Sequence, residues 1–193
     1  MKLPLRIKLQ VMTFQTYLEL FEQILNSPKP EAPYDNPDYF NYTKLNWSRM
    51  NRWLKKGELL PQIQEKIKNI QEPQNWILIT EPWCGDAAHI VPFIKMMADL
   101  NPLIQLDLEL RDAEPHRIQE YLTNGGKAIP KLVIRSSEGK DLANWGPRPE
   151  ECQTLYLEMH TNQAPFEEVK IKLQNWYNEH NGVEIQEEIA GLI

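Results

Sequence analysis

The sequence predicts an α/β sandwich with a mixed sheet, preceded by a helical stretch. Beyond a helix that begins at Pro61, the apolar pattern alternates between strand and helix periods in the order β–α–β–α–β–β–α. A short apolar run, Trp76–Glu81, passes through Trp83-Cys84-Gly85-Asp86 directly into a helical pattern. Two further strand-like runs flank Ser137-Glu138-Gly139-Lys140, which is a hairpin signal.

Taken in order, Phe14, Tyr17, Leu18, Phe21, Ile24 and Leu25 recur at helical steps, with Thr13 as the expected cap. Four prolines between Ser27 and Tyr42 predict an extended connection anchored by aromatics. The segment from Asn46 to Lys56 then places Trp47, Met50, Trp53 and Leu54 on one helical face. It reads either as a basic, aromatic partner-binding helix or as one that docks its tryptophans and leaves Arg49, Arg52, Lys55 and Lys56 wet. The acidity of the whole chain favours docking. Residues 1–60 are thus expected to form a helical extension packed on a domain spanning 61–193. In that domain, Pro61 opens a helix that Pro73 follows, and Trp76–Glu81 is a buried strand. Asp86–Leu100 is a helix that Pro92 should bend, and Leu103–Leu110 is a strand. Glu114–Gly125 reads as a helix ended by Gly125-Gly126. Lys131–Ser136 and the segment around Asp141–Gly146 are strands, and two helices close the chain.

Bulk properties narrow the function. The net charge of −6 disfavours nucleic acid as a partner, because phosphate binding wants a positive face. No apolar run approaches the roughly 20 residues of a membrane span. The start is broken by Lys2, Arg6 and Lys8 and lacks a signal-peptide core, so a cytoplasmic location is expected. Two cysteines, Cys84 and Cys152, give neither a disulfide framework nor a cysteine-rich zinc site.

A cysteine at the first strand-to-helix turn, in Trp83-Cys84-Gly85, resembles the nucleophile position of the thioredoxin family. Pro92 falls where that family bends its active-site helix, and Ile129-Pro130 where it keeps a cis-proline facing the cysteine. Gly146 matches a glycine beside the substrate groove. These matches span roughly residues 61–181. "TEPWCGDAA", joined to the upstream "YTKLNWSRMNRW", resembles single-cysteine bacterial thioredoxin-like proteins with a helical N-terminal extension. The resemblance implies a thioredoxin-like three-layer α/β/α sandwich and a monothiol redox role. It calls for no cofactor, no metal and no membrane. The expected partner is a protein or a low-molecular-weight thiol or disulfide; the oligomeric state is not read.

The residues support part of this. A thiol at a helix N-terminus meets unpaired N–H groups and the positive end of the macrodipole, which favour thiolate. Against that, Ala87 stands where a resolving cysteine would be, and Leu78 where dithiol reductases keep a buried carboxylate. Asp86 opposes thiolate by up to about 2–3 kcal/mol at roughly 6 Å with an effective dielectric near 20. Arg148 is either its neutraliser or a solvated loop arginine. Cys84, Asp86 and His89 make a poor metal set with no fourth ligand in view, and His89 reads as an ordinary helix residue. Cys152 reads as a small core residue.

The expected roles follow. Cys84 is the nucleophile, Trp83, Gly85 and Asp86 shape the turn, and Ile129, Pro130, Gly146 and Arg148 position the substrate. The competing class is a non-catalytic binding module whose groove lies between Trp83, Pro130 and Trp145.

Overall fold

The computed structural model describes residues 11–193. Lys2, Arg6 and Lys8, and with them the start of the N-terminal extension, lie outside the described residues.

Helix α1 (Phe14–Asn26) is capped by Thr13, whose Oγ1 accepts the Thr16 amide at 3.2 Å. It buries Tyr17, Phe21 and Ile24. Helix α2 (Pro37–Lys56) begins inside the stretch expected to be extended. Asn36 caps it by accepting the Asp38 amide at 2.8 Å, and Pro37 sits in the first turn, where a missing N–H costs nothing. Proline thus opens this helix rather than forbidding it. Met50 and Trp53 are buried, whereas Phe14 and Trp47 are only partly covered.

Then follow α3 (Pro61–Lys68), β1 (Gln74–Thr80), α4 (Gly85–Ala98) and β2 (Ile104–Leu110). After a 3-10 turn at Arg117–Glu120 come β3 (Lys131–Ser136), β4 (Asp141–Trp145), α5 (Glu150–Thr161), α6 (Phe166–His180) and α7 (Val183–Ala190). The sheet runs β2-β1-β3-β4, with β1 parallel to β2 and antiparallel to β3, and β3 antiparallel to β4. It is the mixed sheet that the element order predicts.

Alternation along the strands separates two unlike faces. Trp76, Leu78, Thr80, Leu108, Leu132 and Ile134 share one face by register. The helices cover it: Tyr17 of α1 reaches Thr80, and Glu188 of α7 accepts the Trp145 indole N–H at 2.7 Å. The other face carries Ile77, Ile79 and Val133 together with Glu109, Lys131 and Arg135. Its cover is the 111–128 segment, through Arg117 to Glu109, Lys131 to Thr123, and Arg135 to the Tyr121 hydroxyl.

The helix expected over Glu114–Gly125 is therefore only one 3-10 turn. A half-polar sheet face is satisfied by separate polar contacts, and only Ile118 and Tyr121 of this segment go inside, three residues apart. One turn meets that need, so the third layer of the sandwich is thin. Helix α7, not expected from the sequence, follows Asn181 and Gly182, both with positive φ. Ile185 and Ile189, fully buried, dock it on the domain, while Glu187 on its other side stays exposed. Among the described residues, no helix is long and apolar enough to cross a membrane.

Candidate functional site

Strand β1 ends in the turn that Cys84 closes. Cys84 is the cap residue of α4, with an extended backbone (φ −78°, ψ 119°), and its N–H donates to Glu81 O at 3.0 Å. The side chain points inward and is 6% exposed. Its thiol donates to the carbonyl of Ile129 at 3.4 Å, so the sulfur is tied to the residue before Pro130. The Ile129–Pro130 bond is cis and both residues are buried. Gly146 (φ +108°) passes so close to Pro130 that a Cβ would stand 2.4 Å from its carbonyl oxygen. Only glycine meets both conditions there.

Asp86, in the first turn of α4, takes its hydrogen bonds from side chains. Arg148 forks onto it, Nε at 3.0 Å from Oδ1 and Nη2 at 2.8 Å from Oδ2. The Tyr177 hydroxyl donates to Oδ1 at 2.9 Å. Arg148 is fixed in turn by Gln153 Oε1 at 3.0 Å and by the face of Tyr156, 4.1 Å from its centroid. Arg148 is thereby committed to the carboxylate rather than to the sulfur. Burial, and next the Asp86 charge, push the Cys84 thiol up to about 12. The amides of Ala87 and Asp86 and the Arg148 charge pull the other way and lose. Cys152, fully buried on α5, is also pushed up to about 12, by burial first and then by Asp86.

Helix α2 forms a wall of the site, which the sequence reading did not anticipate. Tyr42 lies over Gly85, its hydroxyl 2.5 Å from where a Cβ would stand. Asn46, fully buried, donates to Pro82 O at 3.1 Å and holds Arg49 through its Oδ1 at 3.0 Å. Tyr39 meets Trp83 edge-on at 5.9 Å, and Arg111 covers the Trp83 ring at 4.7 Å. Residues 39, 42, 46 and 49 share one helical face. That spacing is visible in the sequence once the helix is begun at Pro37.

These residues line a groove of about 1100 Å³ over the turn. The opposite wall is Tyr156, Leu157, Phe166 and Lys170 of α5 and α6. Trp83, Gly85, Asp86, Ile129 and Arg148 also line it. Pro130, Gly146 and Trp145 do not: Pro130 is buried beneath Ile129, and Trp145 belongs to the helix-covered face and is 7% exposed, which corrects the expected place of Pro130 and Trp145 as groove walls. His89 is turned from the sulfur. Its Nδ1 accepts the Trp53 indole N–H at 2.9 Å, its Nε2 lies 3.2 Å from Gln174 Oε1, and its ring stacks on Tyr177 at 4.5 Å. Burial, with help from Arg49, holds it down at about 3, so it is a neutral structural imidazole.

A search of curated proteins gives no significant match. Two solved structures share the fold. One is an HIV epitope-scaffold protein, 15% identical with a TM-score of 0.55 over 94% of this chain and 97% of that one. The other, a protein of unknown function from Pseudomonas aeruginosa, is 16% identical with a TM-score of 0.53 over 94% and 99%. At such identities the likeness concerns the fold alone. The family model described as thioredoxin matches residues 32–164, which takes in α2, the Cys84 turn, the whole sheet and α5. With a cysteine-capped α4 facing the residue before Pro130 on a mixed sheet, the chain belongs to the thioredoxin family.

Proposed function

We propose that the chain is a ligand-binding module on the thioredoxin fold, whose groove between α2 and α5–α6 takes an extended peptide. Cys84 is then held as a thiol at the groove floor. The observation that carries this is the sulfur itself: buried, donating to Ile129 O, and beside a carboxylate that has already claimed Arg148. Exposed apolar side chains at Leu45, Leu157 and Phe166 supply contact area for a peptide. In this reading Trp83, Gly85 and Asp86 shape the floor, Ile129 and Arg148 set its edge, and Pro130 and Gly146 pack together behind Ile129 and hold it in place. Residues 61–193 form the α/β domain, and the extension contributes a wall through α2. A cytoplasmic setting, which keeps both thiols reduced, suits this use.

A second reading is monothiol exchange, and the amides of Asp86 and Ala87 near the sulfur favour it. Cys84 would lose its proton and attack a disulfide, forming one S–S bond as the other sulfur leaves and is protonated. An external thiol would then release Cys84 and end up in the new disulfide.

Iodoacetamide alkylation of Cys84 against pH separates the two. The binding reading expects the rate to climb with no plateau below about pH 9. A plateau near neutrality overturns it and establishes the exchange reading.

A further inference from the structure

Arg49 and Lys170 come from opposite walls of the groove, on α2 and α6, and converge on one ring. The Arg49 guanidinium carbon lies 5.2 Å from the Tyr42 centroid, and Lys170 Nζ lies 5.1 Å from it. The two charges are therefore no more than about 10 Å apart. Among the described residues, no carboxylate lies within ion-pair distance of Arg49; its hydrogen bond goes to the neutral Asn46. Lys170 has only Glu167, an i,i+3 surface partner that is 76% exposed and competes weakly.

Two cations near one tyrosine repel each other unless an anion lies between them. The chain as a whole is acidic, so this local reversal of sign is a feature of the groove rather than of the surface. Arg49 is also pre-positioned, because Asn46 is itself anchored on Pro82 O beneath the active turn. The Tyr42 ring that both cations approach ends in the hydroxyl over Gly85, one residue from the thiol.

We infer that Arg49, Lys170 and Tyr42 form a subsite for a carboxylate carried by the bound peptide. Arg49 supplies a planar fork, Lys170 a point charge from the other wall, and Tyr42 a phenol that can donate to the same group. The apolar side chains Leu45, Leu157 and Phe166 flank the subsite and select an acidic peptide with aliphatic neighbours. This rests on the reading of the groove as a peptide site.

The test uses two blocked, labelled hexapeptides, one alternating leucine with glutamate and one alternating leucine with glutamine, read by fluorescence anisotropy. The glutamate peptide should bind about tenfold tighter in dilute salt, and the gap should narrow at about 0.5 M salt. Arg49→Gln and Lys170→Gln should each remove most of the gap by weakening the glutamate peptide several times more than the glutamine peptide. Arg49→Lys should restore part of it. Equal binding of both peptides to the native protein overturns the carboxylate subsite and leaves the groove reading intact. So does a variant that weakens both peptides equally, since Arg49 would then only shape the wall. Binding of neither peptide overturns the groove reading and the subsite together.

Discussion

Arg148 forks onto Asp86 across the mouth of the Cys84 turn, and both side chains are nearly buried. The pair joins the loop after β4 to the first turn of α4. It also decides the electrostatics of the neighbouring sulfur, because a carboxylate and a guanidinium that saturate each other leave burial as the main influence on Cys84.

Asp86→Asn should therefore make Cys84 more reactive. Loss of the carboxylate removes the second-largest influence raising the thiol and frees Arg148, which already acts to lower it. Each unit by which the thiol falls raises the thiolate fraction tenfold, about 1.36 kcal/mol. Alkylation at pH 8 should speed up at least about tenfold. Arg148→Ala should slow alkylation and, by leaving a buried carboxylate without its cation, should destabilise the protein by about 3–5 kcal/mol. Unchanged alkylation in both variants would remove the electrostatic account.

The two glycines of the site should differ in tolerance. At Gly146 a Cβ meets the Pro130 backbone oxygen and the residue has φ +108°, so alanine is strained in two ways. Gly146→Ala should cost more than about 2 kcal/mol in urea unfolding. At Gly85 the nearest obstacle is the Tyr42 hydroxyl, which belongs to a side chain. Gly85→Ala should cost about 1–3 kcal/mol, and adding Tyr42→Phe should recover a measurable part of that. Additive losses in the double variant would mean that Tyr42 does not rest on Gly85.

The Cys84 turn was legible because it is local: an apolar strand, a glycine after the cysteine, and a helical period all fall within a few residues. Gly146 and Ile129-Pro130 were legible only through family resemblance, since their meaning lies in an approach across the sheet. Tyr42 has no place among the site residues expected from the sequence, and Arg49 enters only through the alternative of a partner-binding helix. The prolines before Tyr42 suggest an extended chain there, although Asn36-Pro37 is itself a helix-start signal. The missing 114–125 helix has a different cause. Its pattern was compatible with a helix, but the sheet face beneath it carries Glu109, Lys131 and Arg135, which no strand pattern alone assigns to a covering segment. Asp86 and Arg148 were nameable in advance as partners; that Tyr177 completes the group depended on α6 docking.

Two buried titrating groups should oppose each other in acid. His89 is held at about 3 by burial, below its ordinary 6.5, so the unfolded chain binds more protons between those values. Its contribution is complete above pH 6.5 and is lost as pH falls toward 3. Glu81 is raised from 4.5 to about 7 by burial and the Asp112 charge, against Arg111 and two backbone amides. Here the folded state binds more protons, so stability is lost as pH rises from 4.5 through 7. Between pH 4.5 and 6.5 the two trends nearly cancel. Relative to the native protein, His89→Gln should gain up to about 1.4 kcal/mol per pH unit on acidification through that window. Glu81→Gln should lose a similar amount. Urea titrations at several pH values read both slopes, and parallel profiles for all three proteins would show that neither group is perturbed as described.

Supplied with a dithiol-recycling reductase, the protein should not reduce insulin-type disulfides at an appreciable rate. A dithiol cycle needs a second sulfur that can attack the mixed disulfide, and Ala87 occupies the position where one would be. Cys152 is a poor substitute: it is fully buried on α5, free of any disulfide, and raised to about 12. A thiol so far above ambient pH offers about one thiolate in 10⁵ at pH 7. Cys84 faces the same limit, so slow reaction with glutathione disulfide is the most that the resting site should permit. Cys84→Ser should keep the hydrogen bond to Ile129 O and leave peptide binding unchanged. If instead the native protein turns over insulin with the reductase, and both Cys84→Ser and Cys152→Ala abolish the activity, then α5 opens to bring Cys152 to the turn. The binding reading would then give way to a two-cysteine exchange.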